Sequence, residues 1–164
     1  MSNLTPYPDQ AADREAAQGP PGGEFRYASW GRRAGAYLLD TLIVFVVIGL
    51  FFGLALALTF ASDTVGVILL ILAIVAVVAF PLWYHVYFVG KDGQTLARRW
   101  LGIKVADATT GEPIGYGRAF GRALIVAVFG FFTIPLIVDY LWPLWDSRNQ
   151  TLHDKVVSSI VIRL

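Results

Sequence analysis

Cysteine is absent from all 164 residues, which excludes disulfides, thiolate metal sites and cysteine nucleophiles. Histidine occurs only as His85 and His153, so no paired-His metal spacing exists. No Ser/His/Asp constellation and no phosphate-cradling glycine loop stands in the chain. The sequence therefore predicts no enzyme, no cofactor and no metal. Charge is scarce as well: 15% of residues are Asp, Glu, Lys or Arg, against 56% hydrophobic, far from the balance of a soluble domain. The net charge of +1 says little; the distribution says more.

Neither Thr41–Phe60 nor Val65–Val89 contains a single charged residue. A helix rises about 1.5 Å per residue and a bilayer core is roughly 30 Å thick, so about 20 apolar residues cross it. Both runs suffice, and only Ala61-Ser-Asp-Thr64 separates them. The predicted fold is a mainly α membrane protein: a two-helix transmembrane hairpin (spans about 38–60 and 65–88), a third apolar segment that is re-entrant or spanning, and a small cytoplasmic β-element. Residues 26–164 form the membrane domain. Residues 1–25, rich in Pro and Gly, read as a disordered cytoplasmic tail, with a Pro-rich docking motif as the sharper alternative. No short apolar region stands near Met1, so the first run reads as an uncleaved anchor.

Lys and Arg set the expected orientation. Arg14, Arg26, Arg32 and Arg33 precede the first span; Lys91, Arg98, Arg99, Lys104, Arg118 and Arg122 follow the second; the hairpin loop has none. The N-terminus and the loop 90–121 are thus expected in the cytoplasm, with the protein multi-pass in the plasma membrane. Trp83, Tyr84, Tyr87 and Phe88 fit a headgroup belt, with His85 as one of its members.

The apolar segment 123–145 reads two ways. It crosses once, with Asp139 near its far end, or Gly130 and Pro135 break it into two half-helices that dip in and return. Leu101–Asp107 alternates like a strand, and Thr109–Pro113 supplies turn residues for a hairpin. Residues 157–164 alternate too. A three-stranded sheet made by adding this last strand to the hairpin requires both on one side of the membrane, which favours the re-entrant reading.

Arg33 and Asp40 stand seven residues apart and share a helical face. Asp40 is either an ionisable group on a proton or cation route or a headgroup-level residue just outside the span. On the opposite face, Gly49, Gly53 and Ala57 form a small-residue ridge for close helix packing, against the second helix or a neighbouring subunit.

Ala28–Asp40, with Arg33 and Asp40, resembles the opening of the RDD family, prokaryotic membrane proteins named for an Arg and two Asp. Gly93-Gln-Thr95-Leu-Ala-Arg-Arg-Trp-Leu-Gly102-Ile-Lys-Val105 is similar to the family's "GxTxGxxxxGIxV" segment, with Ala97 at a usual Gly. Gln150-Thr-Leu-His153-Asp154-Lys resembles its "QxLHDK" signature, with Ser159 at a usual Thr. The resemblance implies Arg33, Asp40 and Asp154 as namesake residues, with Thr95, Arg99, Gly102 and His153 in support. Arg33, Asp40, Arg98, Arg99, His153 and Asp154 are expected to form one polar network at the inner surface. His153 beside Asp154 points to a metal only weakly.

Two classes of function fit. One is transport of protons, cations or small solutes, which two or three short helices achieve only as a homo-oligomer. The other is a scaffold or accessory protein whose polar cluster is structural. The basic residues track the membrane edge, so the lipid bilayer, not nucleic acid, is the expected partner.

Overall fold

The computed structural model describes residues 25–60 and 62–164. The tail reading and its docking motif lie outside them, apart from Phe25. Helix α1 (Trp30–Thr59) and helix α2 (Asp63–Asp92) form a long antiparallel hairpin. Each has 30 residues, about 45 Å, which exceeds a bilayer core. Only 11% of the most apolar window of either helix is buried. Leu50, Ile74 and Val78 are among many large apolar side chains left exposed. A soluble protein does not leave so continuous an apolar belt in water, so these surfaces face lipid.

The densest packing lies at one end of this hairpin, where α1 begins and α2 ends. Gly93, with φ +74°, terminates α2; a Cβ there would stand 2.2 Å from the Val105 carbonyl oxygen. The short helix α3 (Leu96–Trp100) follows, then strand β1 (Ile103–Asp107). After a turn come helix α4 (Gly115–Gly130), helix α5 (Thr133–Leu141), a 3₁₀ turn (Trp142–Leu144), the short helix α6 (Leu152–Val156) and strand β2 (Ser159–Arg163). Strands β1 and β2 pair antiparallel, with Val105 opposite Val161. Ala28, Ala36, Val89, Ala97, Ile103, Val105 and Val161 belong to the core beneath them.

The expected hairpin after Leu101–Asp107 does not exist. The Asp107 carboxylate takes the backbone amides of Thr109 (2.8 Å) and Thr110 (2.9 Å), and the turn leads straight into α4. On the edge of β1 away from β2, the Val105 amide is taken by the Gly93 carbonyl. The third partner comes instead from the N-terminal side: Tyr27 bridges Ile162, and the Ala28 amide donates to the Val161 carbonyl at 2.8 Å. Three distant stretches thus meet in one small sheet. Because β1 and β2 pair, everything between them leaves and returns to the same end of the molecule.

The third apolar segment makes that return as a short helical hairpin. Its break falls at Phe131–Phe132, where Phe132 is extended, rather than at Gly130 and Pro135. Gly130 closes α4, and Pro135 sits in the first turn of α5, where its missing N–H costs little. Helix α4 packs closely along α2: a Cβ at Gly90 would come within 2.8 Å of Tyr116 Cα. The ridge expectation fails within the chain. Gly49, Gly53 and Ala57 are exposed, and among the described residues a Cβ built on either glycine meets no other element within 4 Å; Ala55, two residues past Gly53, is buried instead.

Candidate functional site

Two carboxylates organise the sheet end, and they do so separately. Asp40, one per cent exposed, accepts from Tyr84 Oη (2.8 Å), Thr95 Oγ1 (2.5 Å) and the Ala97 amide (3.3 Å). Thr95 is also the N-cap of α3 and accepts from the Arg98 amide, so its own proton is free to go to Asp40. Tyr84 Oη likewise accepts from the Leu96 amide. One carboxylate therefore ties α1 to α2 and to the start of α3.

Asp154 is fully buried. Arg33 Nη1 donates to one oxygen at 2.7 Å and Arg122 Nε to the other at 2.9 Å. Its side chain also completes a capping box with Thr151 at the start of α6, and Ser159 Oγ donates to it at 3.1 Å. It joins α1, α4, α6 and β2. Burial alone would push this carboxyl up; the guanidiniums of Arg122 and Arg33 outweigh burial and hold it well below the usual carboxylate range.

Arg33 and Asp154 thus meet as the sequence suggested, whereas Asp40 has its own partners and is not hydrogen-bonded to either. Arg99 also lies apart, paired with the half-exposed Asp92. Gly102 serves the backbone, with φ +60° just before β1. Asp139, treated above only as a charge in the apolar segment, accepts from the His153 amide (2.9 Å) and faces His153 Nδ1 at 2.6 Å. Arg122 had been read merely as a topogenic charge. No group of three His, Asp or Glu able to hold a metal occurs among the described residues.

Above this floor lies a cavity of about 840 Å³ between α1, α2, α4 and the Tyr140–His153 region, within the roughly 300–1,000 Å³ of ordinary small-molecule sites. Val44, Ile48, Val77, Leu82 and Val126 are among its apolar walls. Its charged lining consists of Arg33, Arg98 and Arg122, with His85 and His153 beside them; no Asp or Glu among the described residues lines it. Arg33 Nε and Nη2, Arg98 Nη1 and His153 Nε2 are buried without a hydrogen-bond partner. Burial and repulsion from Arg122 lower the Arg98 guanidinium to about 10, against the pull of Asp40 and Asp154. Four orphaned polar atoms on three residues that line one cavity are unusual, since buried polar groups are normally satisfied.

The RDD family model matches residues 27–158. A proline-rich antigen homolog of Mycobacterium tuberculosis is 36% identical over 87 residues, covering 51% of this chain and 34% of that one. The match therefore spans about a third of that relative's length. A proline-rich antigen of Mycobacterium leprae is 32% identical over 84 residues (51% and 32%). An uncharacterized protein of Haemophilus influenzae is 29% identical over 136 residues, covering 83% of this chain and 78% of that one. No solved structure matches. With the family match running from the bridge residue Tyr27 through the Asp154 block, the chain belongs to the RDD family.

Proposed function

We propose that this membrane domain binds a small molecule in the cavity between α1, α2 and α4, with transport of small solutes, rather than of protons or cations, as the activity this permits. The observation that carries the reading is the cavity lining, where three arginines stand among apolar walls and two of them, Arg33 and Arg98, keep buried donors without partners. A cation route past Asp40 has less support. Tyr84, Thr95 and Ala97 occupy its carboxylate, and it does not line the cavity, whose charged lining is three guanidiniums. The site is built within one chain, so it needs no oligomer. A scaffold role draws support from how completely Asp40 and Asp154 are bonded, and those bonds hold the cavity's shape in either case.

Pyrene, a neutral apolar probe, should bind the purified protein in nanodiscs, in competition with lipid, at up to one per chain beyond what empty nanodiscs of the same lipid take up. Ala123→Trp, placed in the cavity wall, should abolish that binding while leaving the melting temperature close to wild type. Equal pyrene binding by both proteins would refute the cavity as a site.

For orientation, the reading puts the sheet end, with both chain ends and the loop 90–121, in the cytoplasm and α4–α5 as a re-entrant hairpin. It rests on the Lys and Arg clustered at that end and absent between Thr41 and Val89. The native chain has no cysteine, so single cysteines placed near Arg26 and at Leu164 label without background. Both should react only after the membrane is opened; external labelling at Leu164 alone would overturn the re-entrant arrangement.

A further inference from the structure

We propose that the cavity holds one anionic membrane lipid, its phosphate on the arginines of the floor and its acyl chain along the apolar wall of α1 and α2. This rests on the reading of the cavity as a binding site and names what fills it.

The lining supplies three guanidiniums and no carboxylate, while Asp154 behind it takes one nitrogen each from Arg33 and Arg122. Arg33 spends Nη1 on Asp154, which leaves Nε and Nη2 buried without a partner. None of the ion pairs among the described residues includes Arg98, whose Nη1 is also orphaned. A guanidinium is a planar fork of donors that matches the oxygens of a phosphate, and such charge-assisted bonds are the strong ones. Asp154 answers only part of this charge, and burying the remaining donors without a further anion is costly. An oxyanion at the floor removes that cost at both arginines.

His153 adds a complementary feature. The Asp139 carboxylate only accepts, so Nδ1 carries the ring proton towards it. Burial, aided by Arg122, lowers the ring below its ordinary value and keeps it neutral. Its Nε2, 3.6 Å from Asp154 Oδ1, is therefore an acceptor without a donor, on a residue that lines the cavity. Donors for a phosphate beside an acceptor for a hydroxyl suit a phosphodiester head that carries hydroxyl groups.

The walls argue for a lipid over free phosphate. The lining runs on α1 from Trp30 to Ile48, about 27 Å at 1.5 Å per residue, far longer than a phosphate needs. Leu38, Phe45, Val78 and Leu124 line the cavity and are also exposed on the surface. They sit on the helices whose outer faces meet lipid, so the cavity opens sideways into the bilayer. The aqueous end is closed by the sheet and its core.

The test uses the full chain in nanodiscs of equimolar phosphatidylglycerol and phosphatidylcholine with identical acyl chains, read by native mass spectrometry. Wild type should retain one lipid per chain, with phosphatidylglycerol preferred by about tenfold, the size expected of one charge-assisted hydrogen bond. Arg98→Gln should bring the preference near parity. In phosphatidylcholine nanodiscs Arg98→Gln should melt no lower than wild type, because it removes an unpaired buried cation; a structural arginine would behave oppositely. Arg98→Lys should restore part of the preference. Equal retention of both lipids by wild type would overturn the proposal, and intact pyrene binding would then leave the cavity reading standing. Stabilisation by inorganic phosphate without any lipid preference would assign the floor to a soluble phosphate and overturn the lipid.

Discussion

Replacing Asp154 by Ala is expected to lower stability in detergent by about 3–5 kcal/mol, the cost of stranding buried partners of an ion pair. Two guanidiniums lose their carboxylate at once, since Arg33 and Arg122 hold its two oxygens from helices α1 and α4. The capping box of α6 and the Ser159 contact go with it. Arg33→Ala should cost less, because Arg122 still serves Asp154. The double variant Arg33→Ala/Asp154→Ala should fall clearly short of the sum of the singles, since residues in direct contact are not additive. Strict additivity in thermal melts would show that the two do not couple.

Acid should reveal the same groups in two stages. The His153 ring is held below its ordinary value by burial. On acidification through about 6.5 the unfolded chain takes up a proton that the folded chain refuses, and stability begins to fall. Asp154 is depressed, so its contribution is full above about 4 and is lost as the pH drops towards its lower folded value. Asp154→Asn should flatten the second stage and leave the first at least as large, because it removes a charge that favours the protonated ring.

What the sequence made legible follows from the physics that writes each signal. Charge-free runs of spanning length have one common cause, and α1 and α2 stand where they were expected, each extended at the sheet end by further turns. The Arg33–Asp154 contact was legible only through the family blocks, because 121 residues separate the pair. Local rules failed where long-range pairing decided the outcome. The turn at Thr109–Pro113 looked like a hairpin turn, yet β1 pairs with the chain's last strand, and Gly93 covers its other edge. The ridge Gly49–Gly53–Ala57 has helical periodicity, but periodicity does not say which face meets α2.

The cavity floor was hidden for a different reason. Arg122 reads in the sequence as a charge that orients a membrane protein, and such residues usually point to water or headgroups, whereas Arg98 belongs to the expected polar network. Tyr84 carried no signal beyond its place in the aromatic belt. The available hint was an uncompensated one: an Asp inside an apolar segment, at 139, demands a partner. The chain has only two histidines to offer, and His153 is that partner.

Asp40→Ala is the second large effect, and it separates a structural carboxylate from an ion-carrying one. The substitution leaves Tyr84 Oη, Thr95 Oγ1 and the Ala97 amide without their acceptor in a buried setting. Losing even one hydrogen bond to a charged group costs about 1.5–3 kcal/mol, and three donors share this one. The result should be a marked drop in melting temperature and in the amount of folded protein recovered. Thr95→Val should reproduce part of the loss and couple with Asp40→Ala, since Thr95 links that carboxylate to the α3 cap. Asp40→Asn keeps the shape but turns an amide N–H₂ towards groups that donate, so it too should destabilise. Proton and sodium flux into vesicles should be the same for wild type, Asp40→Asn and empty vesicles. A wild-type flux that Asp40→Asn abolishes at unchanged melting temperature would reverse this assignment, because a carboxylate that only clamps three helices has no reason to spare the fold and stop an ion.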